Sequence, residues 1–219
     1  SGVTTIETNT FNGCTALAAV NLPEGLDTIR QYAFANCKAL TCIDLPDSIT
    51  TLYRDAFQNC TALAEIGYPA GWTTLAGTNY VLNTPFSGCT SLKRITVDEG
   101  VTVIPAHGFR SMTSLEEIVL PESITEIGTY AFENCTALKK INLSKNMSAL
   151  AEYPFQNCKA LEEIALPESI TVIANNTFEN CSSLKSITIP SGVTTIEAYT
   201  FIGCTALAEV NLPEGLDTI

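Results

Sequence analysis

The stretch AFENCTALKKINL, residues 131–143, decides how this chain folds. From Phe132, a Cys follows three residues on, a Leu six on and an Ile nine on. The pattern recurs around Phe11, Phe34, Phe57, Phe86, Phe109, Phe132, Phe155, Phe178 and Phe201, which are all the phenylalanines of the protein. Neighbouring Phe residues are 23 positions apart, except for the 29 between Phe57 and Phe86. A fixed period of this size predicts a solenoid, in which each unit buries its apolar face only by stacking on its neighbours.

Within a unit, L-x-x-I-x-L has the alternation of a short strand with one buried face. The Leu column runs from Leu17 to Leu207 and the next column, from Val20 to Val210, is Val or Ile throughout. Stacked units therefore predict a parallel sheet on a concave face. Pro follows the strand in seven of nine units, as at Pro23 and Pro121, and ends it because Pro cannot donate to a ladder. The other half of the unit carries apolar residues three apart, such as Ile124 and Ile127, which suits tight bends or a turn of 3₁₀ helix. Nothing in it predicts a long helix.

The L-x-x-I-x-L-P strand, the I-T-x-I segment (Ile124 to Ile127) and the A-F-x-N-C turn (Ala131 to Cys135) resemble the leucine-rich-repeat superfamily. They are most similar to its 23-residue bacterial class of BspA-like surface antigens, over the whole of residues 1–219. The resemblance implies an α/β-type right-handed solenoid with a concave parallel sheet and mostly turns and short 3₁₀ or helical segments on the convex side. Departures are Met112 in the Cys column, Asp98 and Ser144 in the Pro column, and six extra residues within 71–86. They are expected to mark irregular coils.

At 219 residues and 46% apolar content, one continuous core of about nine repeats suffices, with no second domain. The net charge of −12 argues against nucleic acid and anionic membrane surfaces, which select basic patches. No apolar run reaches the length of a membrane span. Residues 1–29 and 191–219 differ only at Thr8/Ala198, Asn9/Tyr199, Asn12/Ile202 and Ala19/Glu209. This repetition, with no polar cap at either end, points to a segment of a longer array. It also predicts weak end-to-end self-association through Val3, Ile6, Leu212, Leu216 and Ile219.

Candidate chemistry is sparse. Eight of nine Cys occupy the core-periodic column, so they are expected to be buried, reduced and structural. Cys42 alone sits in an outward column, which predicts about one reactive thiol. His107 is the single histidine, so triads and multi-His metal sites are not expected. It shares a column with Tyr32, Tyr130, Tyr153 and Tyr199, rings expected to cover a bend. The carboxylate column Glu24, Asp47, Glu99, Glu122, Glu168 and Glu214 lacks a calcium loop and reads as a solvated edge. These features predict no enzyme, no cofactor and no metal.

The outward strand positions are more informative. Lys93-Arg94, Glu116-Glu117, Lys139-Lys140, Glu162-Glu163 and Lys185-Ser186 alternate in sign, which predicts an ion-pair ladder across neighbouring strands. The earlier rows, Ala18-Ala19, Thr41-Cys42 and Ala64-Glu65, are small and mostly uncharged. The expected partner-binding face is therefore the early concave one, at Ala19, Asn21, Cys42, Asp44, Glu65 and Gly67. It is flanked by the inserted loop with Thr78, Asn79 and Tyr80, and loops on a rigid solenoid often carry function. Trp72, the single Trp, falls in the core column of Ile49 and Val101 and is expected inside.

By its resemblance, the chain is expected to be a non-enzymatic protein-binding or adhesion scaffold. It would be extracellular or at a bacterial surface, engaging proteins of host or neighbouring cells without direct membrane insertion. The alternative from another class is a structural spacer or stalk that presents a different domain and has no ligand of its own.

Overall fold

The computed structural model describes residues 2–76 and 83–219. Thr78, Asn79 and Tyr80 lie outside the described residues. Fifteen short strands, all paired in parallel, fall into two stacks that run along the solenoid. One stack comprises β1 (Thr5–Ile6), β2 (Thr28–Ile29), β4 (Thr51–Tyr53), β6 (Thr74–Ala76), β8 (Val103–Ile104), β10 (Glu126–Ile127), β12 (Val172–Ile173) and β14 (Thr195–Ile196). The other comprises β3 (Cys42–Asp44), β5 (Glu65–Gly67), β7 (Arg94–Thr96), β9 (Glu117–Val119), β11 (Lys140–Asn142), β13 (Ser186–Thr188) and β15 (Glu209–Asn211).

The second stack is the expected L-x-x-I-x-L sheet, here the main sheet. Its register advances one repeat per strand, as in Cys42 opposite Glu65 and Arg94 opposite Glu117. The first stack corrects the sequence reading. The I-T-x-I segment is a second parallel ladder, not merely a bend, with Thr5 opposite Thr28 and Thr28 opposite Thr51. Two inward residues three apart were a strand residue and the corner before it, which the 3-periodicity disguised.

The expected 3₁₀ or helical segments are absent among the described residues. Bonds of the 3₁₀ type do start in each A-F-x-N-C turn, as where the Cys135 N–H donates to the Phe132 carbonyl at 3.0 Å. Two columns of left-handed residues stop them from propagating. One lies two residues before the Phe (Tyr32 φ 59°, His107 59°, Tyr130 58°, Tyr153 60°) and one two after (Asn36 60°, Asn134 61°, Gly88 74°, Gly203 75°). A 3₁₀ helix needs consecutive right-handed residues, so each coil turns a corner instead. Asn and Gly tolerate that conformation. The turn N–H groups then bond the next coil, as Phe132 N–H to Pro154 O at 2.9 Å.

Inside, the Phe rings stack face to face, with centroids 5.0 to 5.4 Å apart from Phe11 to Phe86 and 5.5 to 5.8 Å apart from Phe109 to Phe201. Between Phe86 and Phe109 lies Trp72, fully buried as expected, edge-on to both at 6.3 and 5.8 Å. Its Nε1 donates to the Thr74 carbonyl at 3.0 Å. The insertion also separates β5 from β7 and β6 from β8, which belong to different sheets.

A second break comes at Ser144–Leu166. Here the Pro column holds Ser144, and Met147-Ser148-Ala149-Leu150 replaces I-T-x-I. Neither Ala149-Leu150 nor Glu163–Ala165 forms a strand, so β11 and β13 are not joined. The departure at Ser144 thus marks an irregular coil, as expected.

At the ends, Val3, Leu212 and Ile219 are exposed and Leu216 is half-buried. Ile6, expected to be open, is buried, because its strand pairs directly with β2.

Candidate functional site

The main sheet brings six of the predicted site residues onto one face. β3 and β5 set Cys42 beside Glu65 and Asp44 beside Gly67. The preceding coil follows in step, since the Thr41 N–H donates to the Ala18 carbonyl at 3.4 Å. Ala19, Asn21, Cys42, Asp44 and Glu65 are exposed, and Gly67 is half-buried. The face is shallow, with one dent of about 130 Å³ among Asn21, Leu22, Glu24 and Asp44. Gly67 has a packing role as well, because a Cβ there would lie 2.0 Å from Asp44 Oδ1.

Charge divides this sheet sharply. Among the described residues Asp44 and Glu65 join no ion pair. In later coils Glu116 receives Lys93 at 3.4 Å and Lys139 at 2.8 Å, Arg94 reaches Glu117 at 3.3 Å, and Lys185 pairs with Glu162. Lys139, then Lys93, hold the Glu116 carboxyl below its usual range, and Glu116 raises Lys139 in return. The expected alternating ladder is present in part, with a gap at the irregular coil: among the described residues Lys140 pairs with neither Glu117 nor Glu163.

The cysteines are all free. The six column cysteines of the internal coils are buried and Cys204 of the last coil, expected to be buried, is half-buried; each of these thiols donates to the Phe carbonyl of the coil before it. Examples are Cys60 to Phe34 at 3.1 Å and Cys135 to Phe109 at 3.0 Å. Burial pushes the Cys37 thiol up to about 11 and the Cys135 thiol up to about 12. Cys42 is exposed, as its outward column predicts. Cys14 corrects the expectation for its column: in the first coil it has no earlier coil to cover it, and it too is exposed.

His107 stacks on Tyr130 at 5.1 Å and Tyr130 on Tyr153 at 4.5 Å, all half-buried along the turn edge. Burial, then the neighbouring Arg110, lowers the His107 pKa. Beside this pile, Arg110 lies over the Tyr130 ring at 5.4 Å and its Nη2 donates to Glu133 Oε1 at 2.9 Å. The rings face one another, so the edge reads as packing. Among the described residues no three His, Cys, Asp or Glu side chains converge to hold a metal, and no helix is long and apolar enough to cross a membrane.

Sequence reasoning missed one feature of the main sheet. Leu143 and Leu166 are half-buried, whereas Leu45, Tyr68, Val97, Leu120 and Ile189 of the same column are buried. They line an open groove of about 790 Å³ across β11, residues 163–166 and β13. Ser144 in the Pro column was the available signal.

A parallel solenoid of 23-residue coils with a Leu/Ile strand and an Asn/Gly turn is the leucine-rich-repeat architecture. This chain belongs to the BspA-type leucine-rich-repeat family, whose six-copy repeat region matches residues 1–112, 73–182 and 102–219. It is similar to a leucine-rich cell surface protein of Faecalibacterium prausnitzii, with 32% identity and a TM-score of 0.54 over 93% of this chain. This chain spans 62% of that protein. A leucine-rich repeat protein of Bacteroides ovatus shares the fold at 24% identity and a TM-score of 0.54, over 99% of this chain and 72% of that one. The T. pallidum leucine-rich repeat protein does so at 24% and 0.52, over 84% and 72%. No curated protein sequence matches the chain.

Proposed function

We propose that this chain is a non-enzymatic protein-binding scaffold, secreted or displayed at a bacterial surface. In this reading it adheres to a protein of a host or neighbouring cell through the main-sheet face of its first three coils. The observation that carries the reading is the contrast within one sheet. In the later coils Glu116, Glu117 and Glu162 are each paired with a Lys or Arg of the neighbouring coil, whereas Asp44 and Glu65 stand exposed and unpaired among the small side chains of Ala19 and Cys42. Unpaired carboxylates on a shallow surface suit a folded partner with complementary basic groups, and such complementarity favours encounter and register. The cell surface description of the Faecalibacterium protein supports the location. The spacer reading draws on the pairing of Glu116, Glu117 and Glu162 in the later coils, which ties neighbouring coils together.

Labelled protein incubated with intact epithelial cells and with neighbouring bacteria tests the proposal. Binding that saturates, and that disappears when the cells are first shaved with protease, is expected. A spacer would bind neither cell type above background.

A further inference from the structure

Three independent features coincide at the irregular coil. The main-sheet ladder lapses at Glu163–Ala165, among the described residues neither Lys139 nor Lys140 forms an ion pair across it with Glu162 or Glu163, and Leu143 and Leu166 stand half-open in a column that is otherwise buried in internal coils. The chain does not come apart there, because the Lys185 N–H still donates to the Glu162 carbonyl at 3.1 Å and the Phe132 and Phe155 rings remain stacked at 5.7 Å. The result is a local groove on an intact core.

From this we infer that the groove is a second binding site, separate from the early face, for an extended peptide with alternating aliphatic and basic side chains. The floor supplies Leu143 and Leu166, and Ala165, just before Leu166, is exposed in the lining. The rim carries Glu122, Glu163 and Glu168 against the single cation Lys140. Glu163 has lost the strand partner that occupies its equivalents Glu117 and Arg94. Three coils at about 4.8 Å spacing span a strip roughly 10 Å wide, enough for side chains of an extended segment whose alternate positions face one way. Aliphatic groups would cover the open leucines while flanking ammonium or guanidinium groups meet the carboxylates. Charge complementarity selects this occupant: an acidic segment would meet three like charges, and a purely polar one would leave the leucines wet.

The test uses a fluorescein-labelled peptide, Lys-Leu-Lys-Val-Lys-Leu-Lys, titrated with the whole chain and followed by fluorescence anisotropy at about 0.15 M salt, where long-range charge attraction is screened. Saturable binding with Kd in the range of about 10–100 µM is expected. Ala165→Arg, on an exposed position that does not touch the core, should weaken it at least ~10-fold by filling the groove and opposing the lysines. Glu163→Gln should weaken it several-fold, and Ala19→Arg should leave it unchanged. Equal binding of a Lys-Ser-Lys-Ser-Lys-Ser-Lys control, retention of affinity in Ala165→Arg, or no saturable binding would each overturn the proposal. So would a concentration-dependent dimer abolished by Ala165→Arg, which would make a second copy the occupant. Cell binding measured on the same Ala165→Arg variant keeps this result apart from that for the early face.

Discussion

The thiol of Cys135 donates to the main-chain carbonyl of Phe109, 3.0 Å away and one coil earlier, inside a column that is buried throughout the internal coils. The column is thus more than a row of small apolar groups: each thiol ties its coil to the carbonyl below. Desolvation by burial also pushes the pKa of this thiol up to about 12, from its ordinary 9.0. An acid with a raised folded pKa contributes its full stability below the unfolded pKa and loses it as pH rises from there toward the folded value. Urea midpoints should therefore hold from neutral pH to about 9 and fall steeply above it. Cys135→Ala should make the alkaline limb shallower by about 1.4 kcal/mol per pH unit. An unchanged alkaline slope in this variant would show that the thiol does not ionise on unfolding.

Two thiols, Cys14 and Cys42, should react quickly with maleimide in the native protein, the half-buried Cys204 more slowly, and the remaining six only on unfolding. Peptide mapping after a short pulse identifies them. Rapid labelling of Cys60 or Cys158 would mean the coils open locally.

Trp72 joins the two Phe stacks across the insertion. Trp72→Ala should cost about 3–5 kcal/mol, the range for a large aromatic lost from a packed core. The native emission should be blue-shifted and poorly quenched by iodide. A red-shifted spectrum would place the ring in solvent.

Asn134 holds a left-handed turn at φ 61°. Asn134→Ala should lower stability by about 1–2 kcal/mol, the cost of that conformation for an ordinary residue, while Asn134→Gly stays near wild type. Urea titration separates the two. Equal loss in both would locate the role in the side chain.

Much of this architecture was legible because the 23-residue period repeats every inward side chain, so Leu17 to Leu207 and the Phe column announce a stacked core. The Lys/Glu alternation was equally readable, since neighbouring rows in a parallel register must meet. What escaped were the features that depend on backbone angle. Tyr130 and Asn134 share left-handed φ values that hydrophobic spacing does not encode, so the turns read as 3₁₀. The second ladder escaped because its strands are only two or three residues long, and in a strand such as Glu126–Ile127 only Ile127 points inward. For the candidate site, the 23-residue period was enough to place Cys42 beside Glu65 and Asp44 beside Gly67, while the binding role of that face is a proposal. The groove could not be placed in this way, because its opening follows from strand pairing that fails at Glu163, an identity unremarkable in itself.

The most direct test of the account compares two sets of variants in one quantitative cell-binding assay, with folding checked by thermal melting. Ala19→Arg and Glu65→Arg alter the early face, and Lys139→Ser and Lys185→Ser break the late ladder at exposed positions. The early pair should reduce binding at least ~10-fold, by steric bulk and reversed charge at a complementary contact, while the late pair stays within about twofold of the unaltered protein. Equal losses from both sets, or full binding by Ala19→Arg together with Glu65→Arg, would contradict an early-face binding surface.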